Sequence, residues 1–249
     1  MDSHSIYTDI AQRTDGDIYI GVVGPVRTGK STFIKRFMER ATDELPQSAA
    51  GKTIMTTEPK FIPEEAVNIT VDDKATFNVR LIDCVGYIVP SALGYLEGTN
   101  PRMVVTPWFE EEVPFNVAAE VGTEKVIKEH STIGLVVTTD GSISDLPREE
   151  YAQAEERVVN ELKEIDKPFV ILLNCVQPNS SQAQELADQL MEKYQVPVVP
   201  VNCLELDEGD IREILTNLLY EFPTKEIRVK IPRWLVSLPK DHWLKQTIF

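Results

Sequence analysis

Residues 24–31 read GPVRTGKS, directly after the apolar run IYIGVV at 18–23 and, past Thr32, followed by FIKRFM, a stretch with helical spacing. A strand, a glycine-bounded loop ending in Gly-Lys-Ser and a helix, in that order, predict a phosphate-binding loop. Gly24 and Gly29 let backbone N–H groups wrap an anion. Lys30 supplies a point charge for the β- and γ-phosphates, and Ser31 offers a hydroxyl to magnesium. The helix opening at Thr32 points its positive end at the same place. With Pro25, Val26, Arg27 and Thr28, these residues make 24–32 the expected nucleotide-binding segment. Arg27 reads two ways, as a built-in finger laid against developing charge or as an exposed loop arginine.

Further apolar runs at 78–82, 133–137, 169–173 and 196–201 are short and rich in β-branched residues, so five buried strands are expected with that at 18–23. Helical spacing occupies 29–40, 115–130, 148–165, 181–194 and 208–221. Strand and helix alternate, which predicts a doubly wound, mostly parallel sheet with helices on both faces. Residues 41–77 and 84–114 break the rhythm and are expected to be functional loops. From Phe222 onward the text changes, and three prolines at 223, 232 and 239 punctuate it. The expected division is a P-loop domain at 1–222 and, at 223–249, the start of a following module, cut short.

The strand at 78–82 runs into Asp-Cys-Val-Gly, placing Asp83 at its tip and Gly86 three residues on. This is the DxxG arrangement of GTPase-like P-loop proteins: Asp83 holds magnesium through water and the Gly86 N–H meets the γ-phosphate. The fold expected is therefore an α/β P-loop NTPase of the GTPase-like (TRAFAC) type. In KTIMTTEPK, the hydroxyls of Thr56 and Thr57 are candidates to complete magnesium coordination and close over the γ-phosphate, unless the segment is a plain solvated turn. Asp83, Ser31 and Thr57 are then the metal-facing set, and Lys30, Asp83, Thr56 and Thr57 the catalytic one. After DxxG, GTPases typically carry a glutamine that orients water; here stands Tyr87, so hydrolysis by the chain alone is expected to be slow. The strand at 169–173 ends in Asn-Cys-Val-Gln where GTPases carry NKxD. Asn174 is retained, but Gln177 replaces the aspartate that pairs with guanine, and a neutral amide cannot make that charge-assisted contact. ATP is thus the expected substrate, with magnesium as cofactor.

A formal charge of −15 repels a phosphate backbone and argues against nucleic-acid binding. No apolar run reaches the length of a membrane span, and the opening MDSHSIYTDI lacks a signal peptide's basic and apolar parts, so a cytoplasmic chain is expected. Cys84, Cys175 and Cys203 are widely spaced, without a CxxC pair. They follow three strands of one sheet, so they are expected to cluster and to pack rather than bind zinc.

The segments GVVGPVRTGKSTFIKRFM, DELPQSAAGKTIMTTEPKF, RLIDCVGY, PRMVVTPWFEEEVPF, EHSTIGLVVTTDGSI and YAQAEERVVNELKEIDKPF closely resemble the stage IV sporulation protein A family. The resemblance runs from about Ile6 to about Lys245. It implies a cytoskeletal ATPase that polymerises, using ATP, into the basement layer of the bacterial spore coat, on the mother-cell side of the forespore outer membrane. It implies as partners other copies of itself, a small amphipathic membrane-bound peptide and other coat proteins. Carried over by motif, Lys30 and Ser31 match the P-loop, Asp83 the magnesium-linked aspartate, and Thr56 with Thr57 the paired sensor threonines. Family members are longer, so parts that carry assembly contacts are expected to lie outside this chain. The segment between Met38 and DELPQS is also shorter than is usual in the family. A reversible GTPase switch remains the alternative. The acidic-aromatic stretch Trp108 to Glu112 is either an assembly surface or a loop packed on the sheet.

Overall fold

The structure, a computed structural model, describes residues 17–41, 60–71, 75–91, 96–97, 100–222, 239 and 242–243. Six strands form one sheet in the order β10-β9-β8-β1-β3-β2. They are β1 (Asp17–Val23), β2 (Lys60–Val71), β3 (Ala75–Asp83), β8 (Ile133–Thr139), β9 (Phe169–Asn174) and β10 (Val198–Val201). Two-residue strands β4 (Leu96–Glu97) with β5 (Asn100–Pro101), and β6 (Met103–Val104) with β7 (Val113–Pro114), make two small ribbons. The helices are α1 (Lys30–Ala41), α2 (Phe115–Lys125), α3 (Arg148–Glu164), α4 (Ser181–Tyr194) and α5 (Glu208–Tyr220).

Neighbouring strands from β10 to β3 run parallel, and only β2 is antiparallel. Because successive strand side chains point to opposite faces, each central strand feeds two cores. Ile133, Leu135 and Val137 of β8 join α1 and α5, through Phe33, Phe37, Ile214 and Leu218. Val136 of the same strand joins α3 and α4, through Val158, Leu162, Leu190 and Tyr194. Helices therefore cover both faces, as the alternation predicts, and all five expected strands and five expected helices are present.

Two expectations about the elements need correction. The segment 41–77 is not all loop: its second half is β2, paired to β3 from Lys60↔Asp83 to Val71↔Ala75. Pro63 and two glutamates interrupt its apolar pattern, and the register shifts between Ile62 and Val67 around them. A proline is tolerated there because β2 is an edge strand. The helix expected over 115–130 is α-helical only to Lys125 and then widens into a π-helical turn, Val126–His130. Lys167 closes that turn by donating to the carbonyls of Ile127 and Ser131.

The cysteines are free and buried. Cys175 and Cys203 follow adjacent strands, but β8 and β1 separate these from β3 and Cys84, so the expected cluster is a pair and a distant third thiol. Of residues 223–249, only Pro239, His242 and Trp243 are described.

Candidate nucleotide-binding site

The site is assembled where β1, β3, β8 and β9 end on the same edge of the sheet, the edge at which open parallel sheets bind ligands. Between β1 and α1 the chain turns through positive φ at Gly24, Arg27 and Gly29. Arg27, at φ 63°, is the one of these with a side chain, and it is exposed to solvent. The Thr28 hydroxyl donates to Pro25 O at 3.0 Å, drawing the loop in on itself. Val26 lies buried beneath it, and Ser31 and Thr32 open α1, with Ser31 exposed.

Lys30 is 5% exposed, and its Nζ donates to Pro25 O at 2.6 Å and to Gly24 O at 3.3 Å. Burial lowers its pKa, with the Cys84 and Asp83 sides pulling the other way. Asp83 shows the mirror image: burial raises its carboxyl, opposed by Lys30 and by hydrogen bonds from the Cys84 backbone and the Ser31 side chain. Both groups are thus held away from water in a place that disfavours their charges, which a bound phosphate and cation would reverse. Asp83 Oδ1 is buried and finds no hydrogen-bond partner among the described residues. An orphaned carboxylate oxygen next to a serine hydroxyl is a donor set of the kind magnesium takes, so Ser31 and Asp83 fit the expected ion.

The segment after β3 lies on the P-loop. Tyr87 N donates to Gly24 O at 3.2 Å and Val26 N to Tyr87 O at 2.9 Å. Gly86 adopts φ +91°, and a Cβ there would stand 2.1 Å from Gly24 O and 2.5 Å from Lys30 Nζ, so only glycine fits. Its backbone is accordingly beside the Lys30 ammonium. Tyr87 points away from this place. It is 2% exposed, its hydroxyl pairs with Glu161 on α3, and the Arg157 guanidinium lies 4.2 Å from its ring centroid. Burial, then the Glu161 contact, pushes the phenol pKa well up, so the hydroxyl stays a donor. The side chain that stands where GTPases have glutamine is an anchor in the seam between α2 and α3.

Asn174 joins three loops. Its Nδ2 donates to Thr28 O at 3.0 Å, and its Oδ1 accepts from Cys203 N at 3.1 Å. Gly29 leaves room for it, since a Cβ there would meet Asn174 Nδ2 at 2.2 Å. The asparagine thus braces the P-loop against the turns after β9 and β10, while Gln177 is exposed on the first of those turns. Thr56 and Thr57 lie outside the described residues. Sequence reasoning missed Thr123, Glu161 and Arg157. They come from helices far along the chain, and nothing in their local spacing links them to the DxxG segment.

Sheet order, P-loop and DxxG geometry together define a P-loop NTPase of the GTPase-like class. Two Era structures share the fold. One, a point variant of Aquifex aeolicus Era bound to GDP.AlF4-, superposes with a TM-score of 0.55 at 16% identity, covering 89% of this chain and 64% of that one. The other, Era in complex with MgGDPNP and a 16S ribosomal RNA fragment, gives a TM-score of 0.52 at 16% identity over the same shares. Within the class, residues 1–223 match the family model described as "Stage IV sporulation protein A, ATPase domain". Stage IV sporulation protein A of Bacillus anthracis is 54% identical over 261 residues, covering 99% of this chain and 53% of that protein. Its Bacillus subtilis (strain 168) counterpart is 52% identical over the same shares. The chain belongs to the stage IV sporulation protein A family and spans about half the length of these relatives. The aligned stretch of 261 residues exceeds the 249 of this chain, so these relatives carry residues that it lacks.

Proposed function

We propose that this chain binds ATP with magnesium and hydrolyses it slowly, as a cytoskeletal ATPase that assembles into the basement layer of the spore coat. The observation that carries the chemistry is the convergence of Lys30, Ser31 and the unpartnered Asp83 oxygen beside Gly86. In this reading Lys30 leaves the carbonyls of Gly24 and Pro25 to take the β- and γ-phosphates. Ser31 and Asp83 hold the magnesium, which neutralises charge on the phosphates when bound. The threonine pair, Thr56 and Thr57, completes the site, and the Gly86 N–H turns to the γ-phosphate.

Slow turnover follows from Tyr87: a side chain tied to Glu161 and Arg157 cannot orient an attacking water. Adenine rather than guanine follows from Gln177, which offers no carboxylate to the base. Family membership supports the assembly role, on the mother-cell side of the forespore outer membrane, with other copies, a small amphipathic membrane peptide and other coat proteins as partners. Among the described residues no helix is long and apolar enough to cross a membrane. We assign residues 1–222 to the ATPase domain and 223–249 to a separate module. Phosphate release from ATP and GTP, compared among the chain, Lys30→Ala and Thr56→Ala/Thr57→Ala, tests the reading. It expects ATP turnover that both variants lose.

A further inference from the structure

The Gly86 N–H, beside the cation meant for the γ-phosphate, is already engaged: it donates to Thr123 Oγ1 on α2 at 3.2 Å. Thr123 is completely buried. Its own proton goes to Ala119 O at 2.8 Å, which leaves the oxygen's lone pairs to face Gly86. The other candidate acceptor nearby is the Cys84 sulfur. Its thiol is turned to Val22 O, to which it donates at 3.5 Å, and a thiol sulfur is a weak acceptor.

One N–H cannot serve Thr123 and a phosphate oxygen in opposite directions. We infer that Thr123 sets the discrimination between nucleoside triphosphate and diphosphate, by holding the Gly86 amide that a γ-phosphate must take over. A triphosphate exchanges one acceptor for another at Gly86, whereas a diphosphate leaves the bond to Thr123 in place. The contact also gives the exchange a route outward. Glu120, on the same helix, pairs with Arg157 of α3 at 3.0 Å, and Arg157 covers the Tyr87 ring. Release of Thr123 therefore acts on the seam between α2 and α3.

The inference rests on the ATP-site reading above, and the test separates the two. Thr123→Val keeps the shape and removes the acceptor, while Thr123→Ser keeps a hydroxyl. Calorimetric Kd values for magnesium ADP and for a magnesium-bound, non-hydrolysable ATP analogue are compared in each. Without Thr123 the buried amide gains a good partner only from the γ-phosphate. The preference for analogue over ADP should therefore rise about tenfold in Thr123→Val and stay at the wild-type value in Thr123→Ser. An unchanged preference in Thr123→Val, or an equal rise in Thr123→Ser, overturns the inference. If the unsubstituted chain binds neither nucleotide, the site reading itself falls. Should Thr123→Val fail to fold, the Gly86 amide resonance of the unsubstituted chain decides: it should move with the analogue and hold its position with ADP. An equal response to both contradicts the proposal.

Discussion

Replacing Asn174 by alanine should loosen the nucleotide site and the fold together. The side chain is 4% exposed and serves two backbone groups on different loops, Thr28 O at 3.0 Å and Cys203 N at 3.1 Å. Thr28 and Cys203 are themselves fully buried, so water cannot replace the lost partner. Leaving a buried backbone group unpaired costs about 1–3 kcal/mol, so two of them give about 2–5 kcal/mol after partial relaxation. For a chain of this size that corresponds to a fall in Tm of about 5–15 °C. Asn174→Asp is the informative companion. It keeps an oxygen for Cys203 N but turns a buried carboxylate oxygen toward the Thr28 carbonyl, and it should be at least as damaging. With the P-loop unbraced at Thr28, affinity for magnesium ATP should fall about tenfold or more. Thermal melting with and without nucleotide, followed by titration, reads both effects. A Tm within about 2 °C of wild type and unchanged ATP affinity would refute the bracing argument.

Glu155 is 1% exposed and accepts from Thr138 at 2.5 Å, Arg148 at 2.7 Å and Tyr194 at 3.0 Å. Glu155→Ala strands the half-buried Arg148 and should cost about 3–5 kcal/mol in urea unfolding; a loss under about 1 kcal/mol contradicts the role given to the cluster. Tyr87→Phe removes only the hydroxyl bound to Glu161, so it should lower stability by about 1 kcal/mol and leave ATP turnover within about twofold. A collapse of turnover would place Tyr87 in the chemistry instead. Burial raises Cys84 and Cys175 to about 11 and Cys203 to about 12, above the ordinary 9.0. The native state therefore keeps protons that the unfolded chain releases, so this stability is complete below about pH 9 and is lost as pH climbs through 11 to 12. Melting between pH 8 and 11 should show a steady fall that a triple Cys→Ala variant flattens, and native thiols should resist alkylation at pH 8.

The parts of the site that were legible from sequence are those where neighbours in the chain do the work. Gly24 to Ser31 must lie between a strand and a helix, and Asp83 must end the next parallel strand, because the motif residues are local to the elements that present them. Asn174 was legible as a retained position, but its task of tying Thr28 to Cys203 depends on β9 lying between β8 and β10. The anchoring of Tyr87 by Glu161 and the hold of Thr123 on Gly86 join residues 74 and 37 positions apart. No periodicity encodes such contacts; they follow from how α2 and α3 stack on one face. The strand β2 escaped notice for a different reason, since a proline and two glutamates at its bulge erase the alternation that marks a strand.

On the proposed reading this site turns over ATP, through Lys30 and without a lock for guanine. Phosphate release from ATP and from GTP, each with magnesium, measured for the chain and for Lys30→Ala, addresses it most directly. Slow release from ATP, lost in Lys30→Ala, with little from GTP, is expected. Faster release from GTP than from ATP, or ATP turnover that survives Lys30→Ala, would contradict it.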